Sequence, residues 1–259
     1  MTRPARALRV ALLAAAHAMA AHAAAAQTTP PSAPPPGGEV GYPPPASPFR
    51  DLVYRQSFTL LGGYFGAARD PAGVAPRSGA LVGLQYDLGG GPAIFTARVR
   101  EVASERTVLD PARLPSDRVL GTERRPLTMV DAGLSLALTG ARTYRGFQPL
   151  VHLGGGVVTN FRGADPGGFQ FGTSFALAYG LGLRYVPSPA SRYAVRVDAG
   201  NTFYRVRYPT SYTQAPSGFG PLFVGDSTQA ASIIPANTAL SRYRNNTAVT
   251  VGLSYQFHR

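Results

Sequence analysis

The stretch TSFALAYGLGLRY, residues 173–185, decides the fold. Phe175, Leu177, Tyr179, Leu181, Leu183 and Tyr185 are bulky and apolar, and between them stand Ala176, Ala178, Gly180, Gly182 and Arg184. A period of two places those sets on opposite faces of a β-strand. The segment is long enough for a tilted strand to cross a bilayer, which takes about 9–11 residues. A soluble sheet would bury the bulky face and show water a charged one. Here the second face is too small and too sparsely charged for that. Small side chains suit the crowded interior of a narrow barrel, so the bulky face is expected against lipid.

Working outward from this strand, 171–185, the same alternation recurs. Residues 79–89 set Ala80, Val82, Leu84, Tyr86 and Leu88 against Leu81, Gly83, Gln85 and Asp87. Residues 93–102 set Phe95, Ala97 and Val99 against Thr96, Arg98 and Arg100. The pattern continues through 127–139, 147–158, 193–208 and 247–257, and 56–67 is apolar on both faces. Eight strands result. The expected fold is all-β, an eight-stranded antiparallel up-and-down transmembrane β-barrel. The alternation slips at Asn201-Thr202, which reads as a bulge.

The connections alternate in length. Residues 89–92, 140–146 and 186–192 are short and carry turn chemistry, such as Gly90-Gly91-Pro92 and Pro187-Ser188-Pro189. Residues 68–77, 103–125, 159–169 and 209–242 are longer. Short turns in the periplasm and long loops outside are the habit of membrane barrels. An even strand count then puts both ends of the barrel on the periplasmic side.

The first 26 residues read as an export signal. Arg3, Arg6 and Arg9 precede the apolar run from Val10, and Ala24-Ala25-Ala26 before Gln27 fits a cleavage site. Residues 27–53 form a proline-rich lead that cannot pack a core, and 54–259 form the barrel. No later stretch is apolar enough for a membrane helix. The chain has no cysteine, which removes disulfides, thiolate metal sites and a lipid-anchored cysteine. Its net charge of +12 comes entirely from arginine among the basic residues. These are scattered, and no motif gathers them for nucleic acid. Phosphate-bearing lipid is the simpler partner. No cofactor or metal set is apparent.

These segments, TSFALAYGLGLRY and AVTVGLSYQF above all, resemble the small OmpA-type outer-membrane barrels over roughly residues 54–259. The resemblance implies a monomer of the bacterial outer membrane. It also implies a final strand whose aromatic end, here Tyr255 and Phe257, is read by the barrel-assembly machinery. His258 and Arg259 follow that signal, and no counterpart of the family's peptidoglycan-binding domain follows the barrel. The family spans structural, adhesive, solute-passing and lipid-modifying members. A structural or surface-contact role in the envelope leads here. A narrow channel for small or hydrophobic solutes is the alternative, and a lipid-A-modifying enzyme comes third.

On the inward face the alternation places Asp87, Arg98, Arg100, Asp131, His152, Arg184, Arg196 and Asp198, an ionic network in the lumen. His152 is followed by Leu and Gly, without a nearby serine, so no catalytic set is expected. The triple glycine 154–156 lacks the Lys-Ser/Thr of a phosphate loop. Arg205 and Arg207 lie near the extracellular rim, positioned for lipopolysaccharide phosphates. The last loop is nearly uncharged, and its Phe219, Phe223, Ile233 and Ile234 are expected to fold over the barrel mouth.

Protein recovered from the cell envelope should begin at Gln27. N-terminal sequencing checks this, and an intact Met1 end would overturn it.

Overall fold

The computed structural model describes residues 47–89, 91–160, 163–214, 232–235 and 237–257. The expected export signal (1–26), most of the proline-rich lead, Gly90, Phe219, Phe223, His258 and Arg259 lie outside the described residues. Twelve strands occur in chain order: β1 (Phe49–Asp51), β2 (Gln56–Gly66), β3 (Gly79–Leu88), β4 (Ala93–Val102), β5 (Glu105–Leu109), β6 (Val119–Arg124), β7 (Leu127–Ala137), β8 (Arg142–Tyr144), β9 (Phe147–Thr159), β10 (Thr173–Tyr185), β11 (Tyr193–Arg207) and β12 (Ser241–Phe257). A single 3-10 turn, Thr210–Thr213, is the helical element among the described residues.

Eight of these strands close into a ring in the order β2-β3-β4-β7-β9-β10-β11-β12. Every neighbour is antiparallel, and β12 returns to β2 with Phe257 opposite Gln56. Closure pairs the backbone of every wall strand on both sides, the condition for a sheet to stand in lipid. The short turns and the two ends of the barrel strands gather at one end, and the long loops at the other.

Alternation holds around the ring. Thr59, Gln85, Thr96, Ser135, Arg196 and Ser254 point inward and are buried, while Leu60, Leu84, Leu134, Leu181 and Leu253 face out. No slip occurs at Asn201-Thr202, since β11 keeps one register with both neighbours through that point. The apparent slip has a chemical origin. Asn201 is polar but points outward, and Tyr204 and Val206 are bulky but point inward, into the loop end of the lumen.

Three connections contain more structure than their composition suggests. The last strand starts at Ser241, six residues before the apolar alternation becomes visible at Thr247. Over 241–246 the inward residues are Arg244 and Asn246, so polarity conceals the period. The loop 103–125 folds into the antiparallel hairpin β5–β6. At the turn end, β1 pairs with β8, which lies in the connection from β7 to β9. Leu52 N–H donates to the Ala141 carbonyl, Arg142 pairs with Asp51 at 2.8 Å, and the Phe49 and Tyr144 rings meet edge-on at 5.4 Å. From there the chain must reach β2, three strands from β7 and four from β9 around the ring. Five residue steps extend about 17 Å. Half the ring measures roughly 25 Å from strand spacing and tilt. The link therefore passes beneath the opening instead of around its rim.

Glycine lets the strands approach inside so narrow a ring. A Cβ on Gly133 would lie 2.2 Å from the Leu153 carbonyl oxygen and 2.4 Å from Gly154 Cα. Gly133 faces Gly154 across the β7–β9 ladder. On the outer face, Gly62 has nothing within 4 Å of the same position. Gly133→Val should therefore abolish the compact, heat-modifiable form on gels, whereas Gly62→Ala should retain it. Equal folding of both variants would overturn this reading of the lumen.

Candidate functional site: the filled lumen and its loop cap

Two aspartates organise the lumen. Asp87, on β3 near the turn end, accepts hydrogen bonds from Arg184 at 2.9 Å, Arg196 at 3.0 Å, Thr96 at 2.8 Å and Gln85 at 2.9 Å. Arg196 also reaches the half-buried Asp198 at 2.8 Å, which joins β3, β10 and β11. Asp131, on β7 nearer the middle, accepts from Arg98 at 2.8 Å and Arg100 at 2.7 Å. Each of these arginines is buried, and Arg196 is 0% exposed. A charge removed from water is tolerable only when paired in this way.

Hydroxyls connect the two clusters. Thr96 Oγ1 lies 2.8 Å from Ser135 Oγ, which lies 3.1 Å from His152 Nδ1. His152 Nε2 stands 3.7 Å from Asp131 Oδ1. Ser135 and His152 are direct cross-strand partners in the β7–β9 register. The order Ser-His-Asp resembles an acyl-transfer triad. However, Asp131 is already gripped by two arginines, and Ser135 has no exposed surface and shares its hydroxyl with Thr96. Chemically it is a relay that ties one ion cluster to the next. The hollow beside Arg98, Arg100, His152 and Asp198 measures ≈ 30 Å³, room for about two waters.

Above the ions the filling turns apolar. Phe65, Leu81, Val102, Leu127, Met129, Val158 and Tyr204 from the walls form one cluster with residues of all four loops. The loops supply Val74, Leu109, Phe169, Tyr212 and Ile234, with Ile233 packed against them. Ile233 and Ile234 thus turn into the mouth.

Polar contacts join the loops to one another in a ring. Thr107 N–H donates to the Gly73 carbonyl, and Arg77 donates to the Thr107 hydroxyl at 2.6 Å. Arg106 pairs with Asp165 and lies 5.5 Å over the Phe169 ring. Phe169 in turn packs against Tyr208 and Tyr212 at ring separations of 6.2 and 6.4 Å. The Tyr208 hydroxyl donates to Asp70 in the first loop. Arg244, rising from β12, clasps Asp70 at 2.6 Å and Tyr208 at 2.7 Å. Burial, reinforced by the Asp70 carboxylate, pushes the Tyr208 phenol up to about 12. Burial also raises Tyr212.

Asp70, Arg244, Tyr208, Arg106, Asp165, Thr96 and Ser135 all escape a reading by sequence spacing. Their partners lie on other strands or loops, and only the ladder register or the loop path brings them together. For Thr96 and Ser135 a weak signal exists, since both occupy inward positions of the alternation.

Outside, the surface is reversed. Leu60, Leu181 and Phe175 are each about two-thirds exposed and belong to a continuous apolar wall. At the turn end Tyr255 packs against Tyr193 at 5.6 Å, and Phe257 stacks on Phe58 at 5.5 Å. Aromatic rings at that level form an interfacial girdle. Arg205 and Arg207 project outward at the loop end, Arg205 lying 5.9 Å over the Tyr243 ring. A polar interior within an apolar wall, closed without an edge, is the construction of an outer-membrane β-barrel. The protein resides in the cell outer membrane.

Neither family models nor curated proteins match the chain. Among solved structures it is similar to Neisserial surface protein A, at 12% identity over 82% of this chain and 98% of that one, with a TM-score of 0.41. It is also similar to the outer membrane protein OprG from Pseudomonas aeruginosa, at 14% identity, 80% and 99% coverage and a TM-score of 0.39. A third is Ail, the attachment invasion locus protein of Yersinia pestis, at 14% identity, 79% and 99% coverage and a TM-score of 0.32. The fold is read from the closed ladder, independently of these likenesses.

Removing Arg196 leaves Asp198 without its cation and Asp87 with Arg184 alone. Arg196→Met should cost about 3–5 kcal/mol, seen as an earlier urea midpoint for the gel-mobility transition. Arg124→Met, at a pair whose arginine is 90% exposed, should change it by less than about 1 kcal/mol. The cap should respond to alkali. With its phenol raised from 10.0 in the fold, Tyr208 contributes fully below pH 10, and that contribution fades as pH climbs to about 12. Limited proteolysis of the loops across this range should show the cap loosening, and Tyr208→Phe should remove the step.

Proposed function

We propose that this protein is a monomeric, non-enzymatic structural barrel of the envelope, akin to the small OmpA-type barrels, whose loop cap is its surface for contact. The filled lumen carries this reading: two ion clusters, a hydroxyl relay and an apolar plug occupy successive levels of it. Such an interior stiffens the wall and keeps solutes out. The link beneath the turn end adds a floor. Its partners are outer-membrane lipid around the wall and, during assembly, machinery that reads Tyr255 and Phe257 at the end of β12.

The narrow-channel alternative has a specific observation in its favour, the hydrated-size hollow lined by Arg98 and Arg100. For solutes to pass, both ion clusters and the cap would have to move. Purified protein in planar bilayers should show no steady open level. Discrete steps from the wild type, altered by Arg98→Ala with Arg196→Ala, would establish the channel reading instead. Lipid A should be unchanged by mass spectrometry after overexpression, and a modified species would overturn the non-enzymatic assignment.

A further inference from the structure

The outward arginines at the loop end stand apart from the other cations of the barrel. Inside, Arg98, Arg100, Arg184, Arg196 and Arg244 each hold an aspartate. Arg205 and Arg207 pair with no carboxylate among the described residues. Arg205 and Arg207 are two positions apart on one face of β11, so their Cα atoms lie about 7 Å apart. Glu101, by contrast, is exposed on β4, four strands from β11 around the ring.

A groove of ≈ 460 Å³ runs beside these arginines, between the end of the third loop and β12. Its lining includes Thr173, Ser174, Phe175 and Tyr243 along with Arg205 and Arg207. Ser174 donates to the Arg205 carbonyl at 2.8 Å, and Arg205 donates from Nε to Ser241. The first contact fixes the backbone of Arg205 beside the groove, and the second engages only the Nε of its guanidinium. Phe175 is 66% and Tyr243 62% exposed. Tyr243 stacks on Phe203 at 4.9 Å with the ring planes 5° apart, a flat aromatic ledge.

The geometry points to a binding site for a phosphorylated glycolipid of the outer leaflet, lipopolysaccharide in kind. Its phosphate is held by Arg205 and Arg207, and its sugar and upper acyl chain lie on Phe175 and the Tyr243–Phe203 ledge. The inference rests on the outer-membrane reading, which places this rim at headgroup height. Guanidinium groups grip phosphate with two parallel hydrogen bonds, and lysine cannot reproduce that fork. The aromatic ledge supplies what a free anion would not need. This amphipathic construction commits the groove to a lipid.

The test uses the mature chain folded in nanodiscs, titrated with lipid A, with dephosphorylated lipid A and with inorganic pyrophosphate. Heat-modifiable mobility is read on the same samples. The wild type should bind lipid A at least about tenfold more tightly than its dephosphorylated form. Arg205→Gln with Arg207→Gln should erase that preference while keeping the folded band, and Arg124→Gln should leave it intact. Arg205→Lys with Arg207→Lys should retain a part of it. Equal affinity for the two lipids, or an unaffected double variant, would overturn the site. Pyrophosphate binding as strong as lipid A would replace the lipid with a free anion and also overturn it. Loss of heat-modifiable mobility in the wild type would instead refute the barrel itself.

Discussion

A narrow ring of strands surrounded by lipid has almost no water to offer an ion, so every inward charge must meet an opposite one across the lumen. Asp87 meets this demand for Arg184 and Arg196, and Asp131 for Arg98 and Arg100. These contacts cross strands that are distant in sequence. The Asp87 contacts tie opposite walls together, and the Asp131 contacts join the adjacent strands β4 and β7, where hydrophobic packing cannot because the outer apolar face gains nothing by burial against lipid. Cohesion has therefore moved inward and become electrostatic.

The rest of the interior follows from that arrangement. Glycines on β7, β9, β10 and β11 leave room for long arginine side chains and let strands approach closely, as Gly133 against Gly154 shows. Hydroxyls at Thr96 and Ser135 complete bonds that the ions leave open. Toward the loop end Phe65, Tyr204 and Tyr212 make up the bulk of the filling, with the pairs Arg244–Asp70 and Arg106–Asp165 set among them. Water reaches this end, so apolar burial is again favourable, and the loops can fold inward as the core of an ordinary protein would.

The cap and the lumen make one continuous filling. Arg244 belongs to the wall, yet its partners Asp70 and Tyr208 belong to two loops. The cap is thereby anchored to β12. A barrel built in this way is stiff from floor to mouth, which suits a load-bearing envelope component. The proposed lipid site lies apart from this filling, at the outer rim beside Arg205 and Arg207.

The alternation in TSFALAYGLGLRY and its seven companions determined the strands, their inner and outer faces and the closed barrel, because facing is a local property of the backbone. Chain order and loop length determined which end carried the loops. Pairing was different. That Ser135 faces His152, that Arg244 reaches Asp70, and that Arg106 meets Asp165 depend on register and loop path, which no single segment encodes. The polar opening of β12 and the hairpin β5–β6 were hidden for a related reason: outside the lipid, strands need not alternate apolar with small. Tertiary structure alone decided that the long loops close the mouth and that Arg205 and Arg207 turn outward, because both follow from where the ring places water, lipid and charge.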